Sequence, residues 1–70
     1  MVDLTILIAR PSAKRGLWRV RTSTQTEREF STEVEAFEAA EVLAKFLITA
    51  GAEVEIQVER PDGLWALYDP

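Results

Sequence analysis

A phrase that occurs twice constrains the fold of this 70-residue chain more than any other feature. Arg10-Pro11 is followed, after a polar loop, by Gly16-Leu17-Trp18, and Arg60-Pro61 is followed after Asp62 by Gly63-Leu64-Trp65. In each copy an alternating apolar segment ends at Arg-Pro and resumes at Gly-Leu-Trp. Proline has no amide donor and ends strand pairing, whereas glycine gives the backbone the freedom to turn back. The repeat therefore predicts two β-hairpins.

One amphipathic helix is predicted between the hairpins. Thr32 is a good N-cap, Glu35 completes a capping box, and Gly51 is placed to end the helix. At 100° per residue one helix face is apolar; it carries Ala36, Phe37, Ala40, Leu43, Ala44 and Leu47. Val42 and Phe46 point well away from that face, so we expect either loops or another molecule to cover them.

Alternation of apolar and polar residues predicts the strands. They are a first strand of about seven residues within 2–9, a second at 17–23, a short polar third at 26–30, a fourth at 53–59 and a last at 64–68. Both faces of the first strand are partly apolar, which favours the sheet interior. The predicted fold is a two-layer α+β sandwich of order β-β-(β)-α-β-β. One helix packs on an antiparallel or mixed sheet of four or five strands, in a single domain spanning residues 1–70.

The sequence contains no histidine and no cysteine. The usual general base, the usual nucleophile–base pairs and most zinc ligands are therefore missing, and a chain this short has little room for a pocket. We expect a non-enzymatic protein without catalytic residues, cofactor or metal ion. The apolar run Leu4 to Ala9 is too short for a signal peptide or a membrane span, so a cytoplasmic location is the expectation.

Three glutamates of the fourth strand, Glu53, Glu55 and Glu59, share one face and offer oxygen ligands of the kind that Mg²⁺ and Ca²⁺ prefer. They lack the turn and the backbone carbonyls that make calcium loops specific. The simpler interpretation is a solvated sheet face whose acids pair across strands with Arg19 and Arg21.

The leading functional hypothesis is a non-enzymatic protein-interaction or regulatory module that self-associates. If Trp18 and Trp65 both point towards the helix, several apolar side chains lie on the uncovered face of the sheet. Together with the two outlying helix residues they form the candidate protein interface: Leu7, Leu17, Val42, Phe46, Leu64, Ala66 and Tyr68. Small domains with a limited core gain most from association, so we expect a homodimer or a complex with another protein.

Nucleic-acid binding through the first hairpin is the alternative hypothesis. Its cations could contact phosphates while Trp18 stacks on a base; they are Arg10, Lys14, Arg15, Arg19 and Arg21. However, the net charge of the chain is −4, and residues 29–70 carry ten acidic and two basic side chains, a net charge of −8. This acidic half would repel a polyanion.

Elements spread over roughly residues 16–67 resemble the DUF2188-type small bacterial domains. The elements are the run Gly16–Val20, the helix entry Phe30–Thr32 with Glu35-Ala36, the pairs Ala39-Ala40 and Leu43-Ala44, then Gly51, Val54–Ile56 and Asp62-Gly63. The resemblance implies the same α+β fold. Because that family has no established activity, it implies no site residue, cofactor or partner.

Overall fold

Five strands and one helix follow one another in the predicted order within residues 2–11, 16–22 and 27–68, which the computed structural model describes. They are β1 (Leu4–Ala9), β2 (Trp18–Thr22), β3 (Arg28–Phe30), α1 (Glu33–Thr49), β4 (Val54–Glu59) and β5 (Trp65–Tyr68). The α+β prediction is confirmed, and the short third strand is present. Most of the loop between β1 and β2 and the predicted turn at Thr24-Gln25 lie outside the described residues.

The strands form one mixed sheet in the order β3-β2-β1-β4-β5. β1 lies at its centre, antiparallel to β2 and parallel to β4, with Ile6 beside Ile56. The parallel pair is joined at its start by backbone bonds, because the amides of Asp3 and Leu4 both donate to the carbonyl of Glu53. This central position explains why β1 is partly apolar on both faces.

Helix α1 begins as its sequence predicts. The Thr32 hydroxyl accepts a hydrogen bond from the Glu35 amide at 3.2 Å, which satisfies one of the unpaired donors of the first turn. The Glu35 carboxylate accepts from the hydroxyls of Ser31 and Thr32, and these bonds lower the pKa of Glu35. At the other end Gly51 adopts a φ of 99°, the left-handed conformation that stops a helix at little cost.

The core lies between α1 and one face of the sheet. Its fully or nearly fully buried members are Ile6, Ile8, Trp18, Val20, Ala36, Ala40, Ala44 and Ile56. The three alanines let the helix approach the sheet closely, and Phe37 packs edge-on against the Trp18 ring at 6.0 Å. Ile6 and Ile8 are the largest side chains that are fully buried among the described residues. Such a small core leaves much apolar surface outside it.

The second hairpin is turned over relative to the sequence prediction. Val58 pairs with Ala66, so Ala66 and Tyr68 share the helix-covered face of the sheet with Val58. Trp65 lies on the opposite face and is 42% exposed. The predictions that Trp65 points towards the helix, and that Ala66 and Tyr68 point away from it, are wrong.

The lengths of the two loops explain this reversal. Between its proline and its glycine the first copy of the repeat has four residues, whereas the second copy has only Asp62. The lengths differ by an odd number, and a shift of one residue moves every strand side chain to the other face. Trp18 is therefore covered by the helix, while Trp65 at the equivalent place in the repeat is not.

Candidate interaction surfaces

The sheet face that α1 does not cover, here called the open face, carries charged side chains on both sides of its central strand. Strand alternation and pairing place these side chains on it: Thr5, Leu7, Ala9, Arg19, Arg21, Glu29, Glu55, Gln57, Glu59, Trp65 and Leu67. Arg19 and Arg21 belong to β2 and Glu29 to the adjoining β3. Glu55 and Glu59 belong to β4, on the other side of the uncharged β1. Leu7 lies on this face as predicted and is half-buried, as is Leu17 just before β2.

The strand glutamates are engaged in hydrogen bonds. Gln57 donates to the Glu55 carboxylate at 2.7 Å, and the Arg10 amide donates to Glu59 at 3.0 Å. In the part of the chain that the structure describes, no three carboxylates or other ligating groups come together as a metal ion would require. The predicted pairing of these acids with Arg19 and Arg21 across neighbouring strands is wrong, because β1 lies between β4 and β2.

Of the described basic residues of the first hairpin, only Arg10 lies beside Trp18. Trp18 is only 7% exposed and faces the helix, with the Arg10 guanidinium 5.1 Å above its ring. Arg19 and Arg21 project from the opposite face, where Arg19 lies 4.0 Å from Glu27. Lys14 and Arg15 lie outside the described residues. The buried indole is not accessible to a base, so the geometry gives the nucleic-acid hypothesis little support.

The second hairpin, in contrast, exposes large apolar side chains. Leu64 is 62% exposed, Leu67 is 70% exposed, and Trp65 stands between them on the chain. The turn that precedes them is closed by a bond from the Gly63 amide to the Arg60 carbonyl at 2.9 Å. We name the pair Trp65 and Leu67, which share the open face, the β5 patch.

Tyr68 anchors this hairpin to the helix. Its hydroxyl donates to the Glu41 carboxylate at 2.7 Å, and its ring lies edge-on to Phe37 at 5.0 Å. The bond to Glu41 is the main cause that raises the pKa of Tyr68, because it holds the phenol proton in place. Tyr68 is therefore a packing residue of the helix-covered side and does not belong to the open face.

The outer backbone edge of β5 is unpaired by the described residues. The Arg60 amide donates to the Leu64 carbonyl at 2.7 Å, which makes these two a bonded pair at the hairpin end. Along an antiparallel ladder, pairs that exchange hydrogen bonds alternate with pairs that do not. Counting from Arg60 and Leu64, the next bonded pairs are Val58 with Ala66 and Ile56 with Tyr68. Ala66 and Tyr68 therefore bond to β4, while Trp65 and Leu67 direct their N–H and C=O groups away from it. We call these groups the β5 outer edge.

A second apolar region lies along the helix. Val42 and Phe46, which the helical period predicts to point away from the core, are 68% and 60% exposed. They border a shallow groove between α1 and β3, which we call the helix groove, together with Phe30, Ala39 and Leu43. Its remaining border is charged and consists of Arg28, Glu35 and Glu38.

The predicted interface contained neither residue of the β5 patch, Trp65 or Leu67, and it misplaced others. Leu67 was not among the candidates, although it is the most exposed large apolar side chain of the described residues. The odd difference in loop length was the signal that could have identified it. Leu64 is exposed, but strand alternation places it on the same face as Ala66 and Tyr68, so the prediction that these three side chains lie on the open face is wrong.

Comparisons with known proteins place no constraint on these surfaces. No family model matches the chain, and neither the curated proteins nor the solved structures contain a significant match. The resemblance to DUF2188-type domains thus stays a prediction. Among the described residues no helix is both long and apolar enough to cross a membrane.

Proposed function

We propose that this chain is a non-enzymatic protein-interaction module that self-associates, with the cytoplasm as its expected location. The observation that carries the proposal is the exposure of the β5 patch next to an unpaired backbone edge. Trp65 and Leu67 are 42% and 70% exposed on a sheet face that no described element covers. Apolar side chains gathered in this way on a small domain are typical of contact surfaces.

The small size of the core supports the same proposal. A chain of this length buries only about 60% of its unfolded surface. Here three of the eight buried core residues are alanine, whereas Val42, Phe46 and Ile48 of the same helix remain exposed. Association would bury apolar side chains that the single domain cannot cover, and it would add to the stability of the folded state.

Two surfaces compete for this role, the β5 patch and the helix groove. The β5 patch combines apolar side chains with backbone donors and acceptors that no described residue pairs. The helix groove offers side chains alone, because the backbone groups of α1 already bond within the helix. We therefore assign self-association to the β5 patch.

Sedimentation velocity over a range of concentrations tests the proposal. Leu67→Glu places a charge in the β5 patch, and Phe46→Glu places one in the helix groove. Val34→Glu is a matched control, since Val34 is also exposed, to 64%. We expect the native protein to dimerise, Leu67→Glu to be monomeric, and both helix variants to dimerise like the native protein.

Two results would contradict this assignment. A native protein that stays monomeric at hundreds of micromolar would exclude self-association as its function. A dimer that only Phe46→Glu dissociates would move the interface from the sheet to the helix groove.

A further inference from the structure

We propose that two copies of this chain join by antiparallel pairing of their β5 outer edges, so that the two sheets become one continuous sheet. The inference rests on the proposed self-association and specifies its geometry. Trp65 of one copy pairs with Leu67 of the other, and the two-fold axis passes between the two copies of Ala66. The occupant of the β5 outer edge is therefore a second copy of the same strand.

The unpaired backbone groups are the first argument. Trp65 and Leu67, whose N–H and C=O groups point outward, are separated by one residue, which is the interval between successive bonded pairs along one strand of an antiparallel ladder. When a second β5 lies alongside, each Trp65 and the Leu67 opposite exchange both bonds. Every outward-directed donor and acceptor of these residues then has a partner.

The two edges of the sheet differ in the way that this pairing requires. β3, at the other edge, has only three residues, and two of them are charged, Arg28 and Glu29. Short, charged edge strands resist pairing with another chain. β5 carries no charged residue between Trp65 and Tyr68. One edge is thus protected and the other is open.

Charge on the open face argues against the main alternative, in which two copies stack face to face. That arrangement would remove Arg19, Arg21, Glu55 and Glu59 from water, and the desolvation of charged groups is expensive. Edge pairing leaves these four side chains in solvent. It also brings each Trp65 beside Leu67 of the other copy, so the two β5 patches merge into one apolar cluster.

Ala66 suits the position at the symmetry axis. Residues that face each other without exchanging hydrogen bonds approach more closely than bonded pairs do. Ala66 lies between the two outward-directed residues, and its side chain points to the helix-covered side of the sheet. A small side chain there lets the two strands meet without displacing Tyr68, which is held by Glu41.

A proline substitution separates edge pairing from side-chain contact. Proline is tolerated on an edge strand where the missing N–H would face solvent. Leu67→Pro therefore preserves the β4–β5 ladder but removes a donor of the β5 outer edge. Leu67→Ala shortens the same side chain and keeps the donor. Arg21→Ala changes the open face far from the edge.

Sedimentation velocity of the full chain measures the dimer dissociation constant of each variant, with far-UV circular dichroism to verify folding. We expect Leu67→Pro to weaken dimerisation at least about tenfold more than Leu67→Ala, and Arg21→Ala to leave it unchanged. A dimer that both Leu67 variants weaken equally, or that Arg21→Ala dissociates, would overturn edge pairing and leave self-association intact. A strictly monomeric native protein would overturn both.

Cross-linking provides a second test that does not depend on proline. The chain has no cysteine, so Ala66→Cys introduces a single thiol at the proposed axis. The Cα atoms of two directly opposite residues that do not exchange hydrogen bonds are close enough for a disulfide bond between cysteines at those positions. Mild oxidation should give a covalent dimer rapidly, whereas Val42→Cys, exposed on the helix, should react slowly. Equal rates for the two variants would overturn the proposed register.

Discussion

Replacing each tryptophan by phenylalanine tests whether the two hairpins direct their indoles to opposite faces of the sheet. The chemical change is identical at the two positions, and only the surroundings differ. Trp18 is 7% exposed, with the Phe37 ring 6.0 Å away and the Arg10 guanidinium 5.1 Å from its centroid. Trp65 is 42% exposed on the open face.

The expected magnitude follows from these contacts. Loss of the second ring at Trp18 removes about 40 Å² of buried apolar surface, or about 1 kcal/mol at roughly 25 cal/mol per Å². The weaker attraction of Arg10 to a phenyl ring adds about 0.5 kcal/mol. Trp18→Phe should therefore lower the free energy of unfolding by about 1–2 kcal/mol, from a total of about 4–10 kcal/mol for a chain of this length. The midpoint of thermal unfolding should fall by about 5–15 °C.

Trp65→Phe should change the free energy of unfolding by less than about 0.5 kcal/mol, because Trp65 is far more exposed than Trp18 in the single chain. The assay is urea and thermal unfolding followed by far-UV circular dichroism. All variants are measured at the same protein concentration, well below the dimer dissociation constant, because dimerisation would itself stabilise the folded state. Equal losses for the two variants, or a larger loss for Trp65→Phe, would refute the opposed orientation of the hairpins.

Three further substitutions test the core, the helix cap and the anchor of β5. Ile8→Val should lower the free energy of unfolding by about 1 kcal/mol, while Ile48→Val, the same change at a side chain that is 56% exposed, should have almost no effect in the same urea titration. Thr32→Ala should cost about 1 kcal/mol through loss of the N-cap bond, and Thr32→Ser should retain most of it; an equal loss for both would contradict the capping role. Because the pKa of Tyr68 is raised in the folded state, its bond to Glu41 should stabilise the fold fully below about pH 10 and less as the pH rises further; Tyr68→Phe should remove that part of the alkaline loss, and unchanged pH curves would contradict the bond.

The elements of the fold could be predicted because local signals specify them. The N-cap at Thr32, the capping residue Glu35 and the stop at Gly51 bracket the helix, and strict alternation identifies β4. The central position of β1 is visible in its partly apolar second face. Local signals do not specify the strand order, because the parallel pairing of β1 with β4 joins segments about fifty residues apart in the chain.

The candidate site was harder to predict because its geometry depends on whether the two hairpin loops differ in length by an odd or an even number of residues. Equivalent positions in a sequence repeat suggest equivalent orientations, and this assumption placed Trp65 with Trp18. The shorter second loop reverses the orientation of β5. Trp65 and Leu67 therefore lie on the open face, and Ala66 and Tyr68 lie on the helix-covered face. The register of a hairpin is set by its turn, so the loop lengths outweigh the similarity of the flanking residues.

The backbone amides of β5 provide the most direct test of edge pairing. Hydrogen exchange followed by NMR should show the amides of Ala66 and Tyr68 protected at every concentration, because both bond to β4. Those of Trp65 and Leu67 should exchange freely when the protein is dilute and become protected as it dimerises. If Trp65 and Leu67 exchange freely even where the protein is fully dimeric, the two copies do not meet along this edge.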